Sequence, residues 1–144
     1  MNGTSSRWNL ECRFASDHGR ACELTEEIMT QLRHFGWSES DRFAIQLGLE
    51  EGLMNAIKHG NRGDGSKFVE LTVEIATDEV YIRIVDEGCG FASQAVPDPT
   101  LKVNRRRGSG RGVALIRGFM DWVHYNECGN QLEMRKRRSP LEGE

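Results

Sequence analysis

Glu51, Asn55 and then Lys58 or His59 follow one another at three- and four-residue spacing in a segment whose other positions are largely apolar. On a helix that spacing gathers them, with Gly48 before them, into one polar stripe. Phe43, Ile45, Leu47, Leu49, Leu53, Met54, Ala56 and Ile57 leave the same helix almost no solvent face, and a helix apolar nearly all round is buried. A carboxylate and an amide carried inward cost free energy unless something satisfies them. A metal–phosphate ligand above the stripe would do so. The Asn55 amide oxygen suits Mg2+, a hard cation that takes oxygen ligands. Glu51, one turn earlier, could orient a hydroxyl or a water for attack on a phosphoryl group. Glu50 is the alternative acid, but helix geometry turns it about 100° from Glu51, towards a different side from Asn55. On this helix alone a plainer reading stays open: a partly exposed edge stripe with Asn55 bonded to backbone.

Two glycine clusters lie downstream. The first is Asp86-Glu87-Gly88-Cys89-Gly90-Phe91, in which glycines at alternate positions after a strand allow close backbone approach to a flat ligand. Asp86, at the strand end, could accept a hydrogen bond from an exocyclic amine such as that of adenine. Alone, the cluster also reads as a glycine-rich turn with a capping Asp. The second is Gly108-Ser109-Gly110-Arg111-Gly112, leading directly into a helix. Free N–H groups at a helix N-terminus bind anions, and glycine lets a phosphate come close. This cluster follows a loop and lacks a surrounding βαβ unit, so it is not a dinucleotide-binding fingerprint, and no GxxxxGK[ST] motif is present to form a P-loop. The order carries more weight than any piece: acid–Asn helix, strand into DxGxG, long loop, glycine-rich helix start.

The elements that position these residues can be read from period and punctuation. Residues 7–14 look like a short strand. Ser16 or Asp17 caps a helix through about Phe35, with Leu24, Ile28, Leu32 and Phe35 on its apolar face and Gly36 at its end. Ser38 opens the Asn55 helix, with Asp41 three residues on as a capping-box-like acid; that helix runs to His59 and stops at Gly60. After a turn-rich stretch at residues 61–65, Val69, Leu71, Val73 and Ile75 alternate with polar residues. Val80, Ile82 and Ile84 do so again, giving a hairpin about Thr77-Asp78 with one buried face. Residues 91–107 form a long loop with two prolines, Pro97 and Pro99. A third helix is expected over residues 110–120, then a second hairpin, Trp122 to Tyr125 and Leu132 to Met134, about Gly129-Asn130. Helices segregated from mostly antiparallel strands make an α+β fold, a two-layer sandwich with a mixed, mostly antiparallel sheet and helices on one face.

Composition sets the outer bounds. The 144 residues suffice for one hydrophobic core, so one domain over 1–144 is expected. With 38% hydrophobic and 28% charged residues the chain reads as a soluble globular protein, and its apolar runs are too short to span a bilayer. Residues 1–10 show no basic region followed by an apolar core, so no secretion signal is expected. A formal net charge of −3 argues against general nucleic-acid binding. The basic run at residues 135–138 reads as an exposed strand end, and Arg105, Arg106 and Arg107 as a solvated loop or a phosphate or partner contact. Cys12, Cys22, Cys89 and Cys128 are scattered, with no CxxC or Cys/His ligand spacing, and read as reduced cytoplasmic thiols.

The ordered set of motifs resembles the GHKL ATPase superfamily (the Bergerat fold), in which an Asn helix, DxGxG and a second glycine box surround ATP. Within it the chain is most similar to the anti-sigma-factor serine/threonine kinases of the RsbW/SpoIIAB type. The likeness is carried by the run from Glu51 to Asn61, by Val96 to Thr100, by Ser109 to Gly112, and by Phe119 to Val123 with the Gly129-Asn130 hairpin. The resemblance implies that Asn55 ligates Mg2+ and that Glu51 is the base for an attacking serine. It further implies that Asp86 contacts the adenine amine, with Gly88 and Gly90 shaping its pocket. Gly108, Gly110 and Gly112, with Arg111 among them, would cradle phosphates; His59 matches the helix end, and residues 91–110 would be the ATP lid. The implied activity is ATP-dependent phosphorylation of a STAS-type anti-anti-sigma protein, with sequestration of a sigma factor in a partner-switching cycle and a homodimeric state. No direct nucleic-acid or membrane partner is expected. Two alternatives remain: a non-catalytic ATP-binding interaction module, and a histidine-kinase-derived fragment acting on another chain.

Overall fold

A computed structural model describes residues 7–88 and 118–140. Among the described residues five strands form one sheet in the order β1-β2-β3-β5-β4: β1 Arg7–Ala15, β2 Phe68–Ala76, β3 Glu79–Val85, β4 Trp122–Tyr125 and β5 Gln131–Arg137. Each described pairing is antiparallel, in keeping with the mostly antiparallel sheet expected. The two-layer α+β architecture is as the sequence implies. The period-two pattern sets the register: Val69, Leu71, Val73 and Ile75 of β2 point inward with Val80, Ile82 and Ile84 of β3 and with Leu132 and Met134 of β5. Burying a side chain of this size contributes roughly 1.5–3 kcal/mol, and a one-residue slip would turn every one of them to water.

Among the described residues two α-helices cover that face. α1 (His18–His34) begins at Asp17, whose carboxylate accepts the Arg20 N–H at 3.2 Å, and presents Leu24, Ile28 and Leu32 to the sheet. It ends at Phe35 and Gly36, where φ is +74°, a left-handed conformation that glycine adopts without strain. α2 (Glu39–Met54) begins at Ser38, whose hydroxyl accepts the Asp41 N–H at 3.1 Å. Gly52 lets it settle onto the sheet, since a Cβ there would stand 2.7 Å from Ile84 Cδ1 and 2.9 Å from Leu132 Cδ2.

Four expectations for α2 and the chain end are corrected. The helix is not apolar all round: Phe43 is 59% exposed, set edge-on to Phe119, while Arg42, Gln46 and Leu47 are only partly covered. Gly48 belongs to the sheet-facing side, not to a polar stripe, because a Cβ on it would meet Met134 Sδ at 3.2 Å. Asp41 does not complete a capping box. Its carboxylate turns to the end of the chain, accepting the Ser139 N–H at 2.8 Å and the Ser139 hydroxyl at 2.6 Å, and pairs with Lys136 Nζ at 3.5 Å. Burial alone would push the Asp41 carboxyl up, but the Ser139 hydrogen bonds and the Lys136 charge outweigh it and hold it below the usual aspartate range. The basic run is accordingly more than a solvated strand end. Lys136 is buried, and Arg138 donates to the carbonyls of Thr77, Phe35 and Gly36, tying the β2–β3 turn to the end of α1.

The third helix falls mostly outside the described residues; Gly118 and Phe119 are helical at its end. Cys12 and Cys22 carry free thiols. Among the described residues no helix is long and apolar enough to cross a membrane.

Candidate functional site

The Asn55 helix does not run unchanged to His59. From Asn55 to Gly60 it widens into a single π-helical turn, marked by the Asn61 N–H reaching back to Ala56 O at 2.8 Å. Such turns add one residue to the ring and shift the side chains beyond them, and they recur at functional sites. The Asn55 N–H still bonds Glu51 O, so Glu51 and Asn55 keep the one-turn relation expected from their spacing.

The Asn55 side chain is an anomaly among the described residues. Both Oδ1 and Nδ2 are shut off from solvent, and neither has a hydrogen-bond partner among the described residues. Of the plainer reading, the partly exposed edge holds, since Glu51 and Asn55 are half-buried and Lys58 and His59 exposed, whereas a backbone partner for the Asn55 amide is absent among the described residues. An unmet buried amide costs roughly 1–3 kcal/mol, so it persists where something else satisfies it. One neutral amide oxygen fits magnesium held together with a phosphate, because magnesium takes few protein ligands and completes its shell from phosphate and water. No group of three His, Cys, Asp or Glu side chains that could hold a metal by itself occurs among the described residues.

At the far end of the π turn the chain meets the first glycine cluster with no slack. A Cβ on Gly60 would stand 2.3 Å from the Asp86 carboxylate, and one on Gly88 only 1.8 Å from Gly60 O. Glycine is required at both places so that the helix end and the turn after β3 can touch. Asp86 is buried at the end of β3: its N–H donates to Asn130 O at 2.9 Å and its Oδ1 accepts the Gly88 N–H at 2.8 Å. The hairpin at Gly129-Asn130 is thus part of the support of this carboxylate.

Asn61 is the residue that sequence reasoning missed. It looked like the first position of a polar turn, yet it is 0% exposed and bonded on three sides. Nδ2 donates to Ser16 Oγ at 2.8 Å and to Phe68 O at 2.9 Å, and Oδ1 accepts the Glu87 N–H at 2.8 Å. The only signal available was its place directly after the helix-ending glycine.

Glu51 opens onto a cleft of about 280 Å3 between α1 and α2, with His18, Cys22 and Glu26 on the opposite wall. Glu50 lines the same cleft, bonded to Gln46 Nε2 at 3.0 Å, so the 100° between the two acids does not send them to separate cavities. The one-turn link to Asn55 still singles out Glu51. His59 is exposed on the π turn. Gly90, Gly108, Gly110, Arg111, Gly112, the arginines at 105–107 and the lid expected at 91–110 lie outside the described residues.

Residues 14–136 match the family model of the histidine kinase-like ATPase domain. The chain belongs to the histidine kinase-like ATPase family. Within the family it resembles anti-sigma factors and serine/threonine kinases, the branch that its motifs suggested. It is 33% identical over 99 residues to an anti-sigma F factor of Clostridium perfringens, spanning 65% of this chain and 70% of that one. It is 27% identical over 108 residues to the serine/threonine-protein kinase BtrW of Bordetella bronchiseptica, spanning 72% and 76%. The fold overlays the crystal structure of the RsbU and RsbW domains of a Mycobacterium tuberculosis protein with a TM-score of 0.63 at 14% identity. That match covers 93% of this chain and 34% of the longer one. In this histidine kinase-like ATPase, then, the π turn that begins at Asn55 ends at Gly60 against Asp86 and Gly88.

Proposed function

We propose that the protein is an ATP-dependent serine/threonine kinase of the anti-sigma type, which phosphorylates a small STAS-type antagonist and sequesters a sigma factor in a partner-switching cycle. The observation that carries this reading is the Asn55 amide, enclosed and without a hydrogen-bond partner among the described residues. The names of the relatives from Clostridium perfringens and Bordetella bronchiseptica support the reaction class.

In this reading ATP is the substrate, and Asn55 supplies an amide oxygen to the magnesium that accompanies it. Bound magnesium neutralises charge on the phosphates. Asp86 accepts from the adenine amine, with Gly88 and Gly90 leaving room for the base. Gly108, Gly110, Arg111 and Gly112 hold the phosphates, and residues 91–110 cover them. His59 stands at the rim. Glu51 takes the proton of the serine hydroxyl from the cleft between α1 and α2. Two copies of the chain are expected to act together, as a homodimer in the cytoplasm.

Incubation with γ-labelled ATP and purified STAS-domain proteins tests the proposal. Alkali-labile, acid-stable label should appear on the partner, and Glu51→Gln should slow transfer by roughly 10²–10⁴-fold with ATP binding retained. Transfer at an unchanged rate in both Glu51→Gln and Asn55→Ala would remove the assigned roles. Acid-labile label would point to phosphohistidine, and tight ATP binding with no transfer to any partner would favour a pure binding module.

A further inference from the structure

We propose that Asn61 is a positioning residue for the base-reading end of the site: it sets where the Asp86 turn stands against the Asn55 helix, and so how well the site tells a 6-amino purine from a 6-oxo purine. The inference rests on the nucleotide-binding reading above.

Asn61 is wholly buried, and its amide reaches three separate stretches of chain. Both Nδ2 protons are used, one on Ser16 Oγ just beyond β1 and one on Phe68 O at the start of β2. Oδ1 holds the Glu87 N–H just beyond β3. That N–H belongs to the peptide joining Asp86 to Glu87, so the bond fixes the plane of the peptide that carries the Asp86 side chain's next neighbour. A second fastening runs beside it, from Phe68 N–H to the Glu87 carboxylate at 2.6 Å. Asp86 Oδ1 in turn holds the Gly88 N–H. Ser16 is itself anchored, its hydroxyl donating to Lys67 O at 3.1 Å.

A buried amide with every one of these bonds made is a rigid connector, and removing one partner leaves the others unsatisfied. Asn61 directly follows Gly60, whose backbone lies against the Asp86 carboxylate and Gly88. Any loosening at Asn61 therefore moves the Asp86 turn relative to the helix end. Asn55 sits a full π turn away, on the side assigned to metal and phosphate, and does not share these bonds. The consequence should appear as lost discrimination at the base, with triphosphate binding kept.

Calorimetric titration with ATP and with inosine triphosphate, both as magnesium complexes, separates the two effects. The nucleotides share the triphosphate and differ at the purine C6 group. Wild-type protein should prefer ATP. Asn61→Ala should weaken ATP by roughly tenfold, the value of a lost hydrogen bond, and change the inosine nucleotide by less than about twofold. Ser16→Ala, which removes one Asn61 partner and leaves the amide in place, should move ATP affinity in the same direction by a smaller factor, and it decides the matter should Asn61→Ala fail to fold. On an Asp86→Asn background Asn61→Ala should weaken ATP little further, since the two act through one contact.

Variants that lose both nucleotides in equal proportion, or lose only binding stoichiometry, would overturn the inference by showing a merely structural role. An unchanged ATP preference in Asn61→Ala and Ser16→Ala would overturn it too, while leaving the nucleotide site intact. Wild-type protein that is folded yet takes up neither nucleotide would instead overturn the reading on which it rests.

Discussion

In the proposed site Asn55 sets stability against binding. Its amide is enclosed and has no partner among the described residues, which costs roughly 1–3 kcal/mol. Replacing it by Leu, of similar volume, should raise the melting temperature of the nucleotide-free protein and abolish magnesium-dependent ATP binding. A lowered melting temperature would mean that the amide is satisfied after all. Gly88 presents the opposite case. A methyl group there would overlap Gly60 O, so Gly88→Ala must separate the Asp86 turn from the helix end. It should cost about 1–3 kcal/mol in urea unfolding and sharply weaken ATP binding. Gly65→Ala, where an added Cβ meets nothing within 4 Å, is the matched control and should leave both unchanged.

At the scale of elements, α2 is held at both ends by contacts of different kinds. Its C-terminal end widens into the π turn and meets the DxGxG strand end. Its N-terminal end is fastened through Asp41 to Ser139 and Lys136, drawing the last strand over the helix start. The Asp41 carboxyl is held below its ordinary value of 3.8, so its contribution is complete above that value and is lost as pH falls through the lower folded-state value. Asp41→Asn should therefore destabilise the protein at neutral pH by on the order of 2–3 kcal/mol, since it leaves Lys136 buried and unpaired, and the gap from wild type should narrow in acid. Urea unfolding at neutral pH and near pH 3 measures both; a gap that persists unchanged into acid would show that Asp41 acts by packing alone. Strand and helix periods made these elements legible. The role of Asp41 was hidden because its hydrogen-bond partner Ser139 lies 98 residues away, and a capping box was the nearest local use for an acid at that position. The solvent face of α2 was misjudged for a related reason: composition counts apolar residues, whereas Phe43 is left largely exposed and Gly48 is turned to the sheet.

For the whole molecule, the fold was readable because two amphipathic hairpins and two capped helices admit few ways to bury their apolar sides. Glu51 and Asn55 stood out as polar residues spaced along a helix rich in apolar ones, and Asp86 by its place at a strand end before alternate glycines; the roles given to them belong to the proposed function. Asn61 was not, since nothing in a polar turn announces that it folds under three strands. The glycine contact at Gly60 and Gly88 joins motifs 28 residues apart, a proximity that emerges only when the sheet closes. The central claim is that this closure leaves the enclosed Asn55 amide with no partner among the described residues and that a magnesium nucleotide satisfies it. Titration of ATP into the folded chain, with magnesium and then with a chelator, tests it most directly. Saturable uptake that disappears with the chelator, and disappears equally in a folded Asn55→Ala variant, is the expected result. Uptake indifferent to both magnesium and Asn55, or none at all by folded wild-type protein, would contradict it.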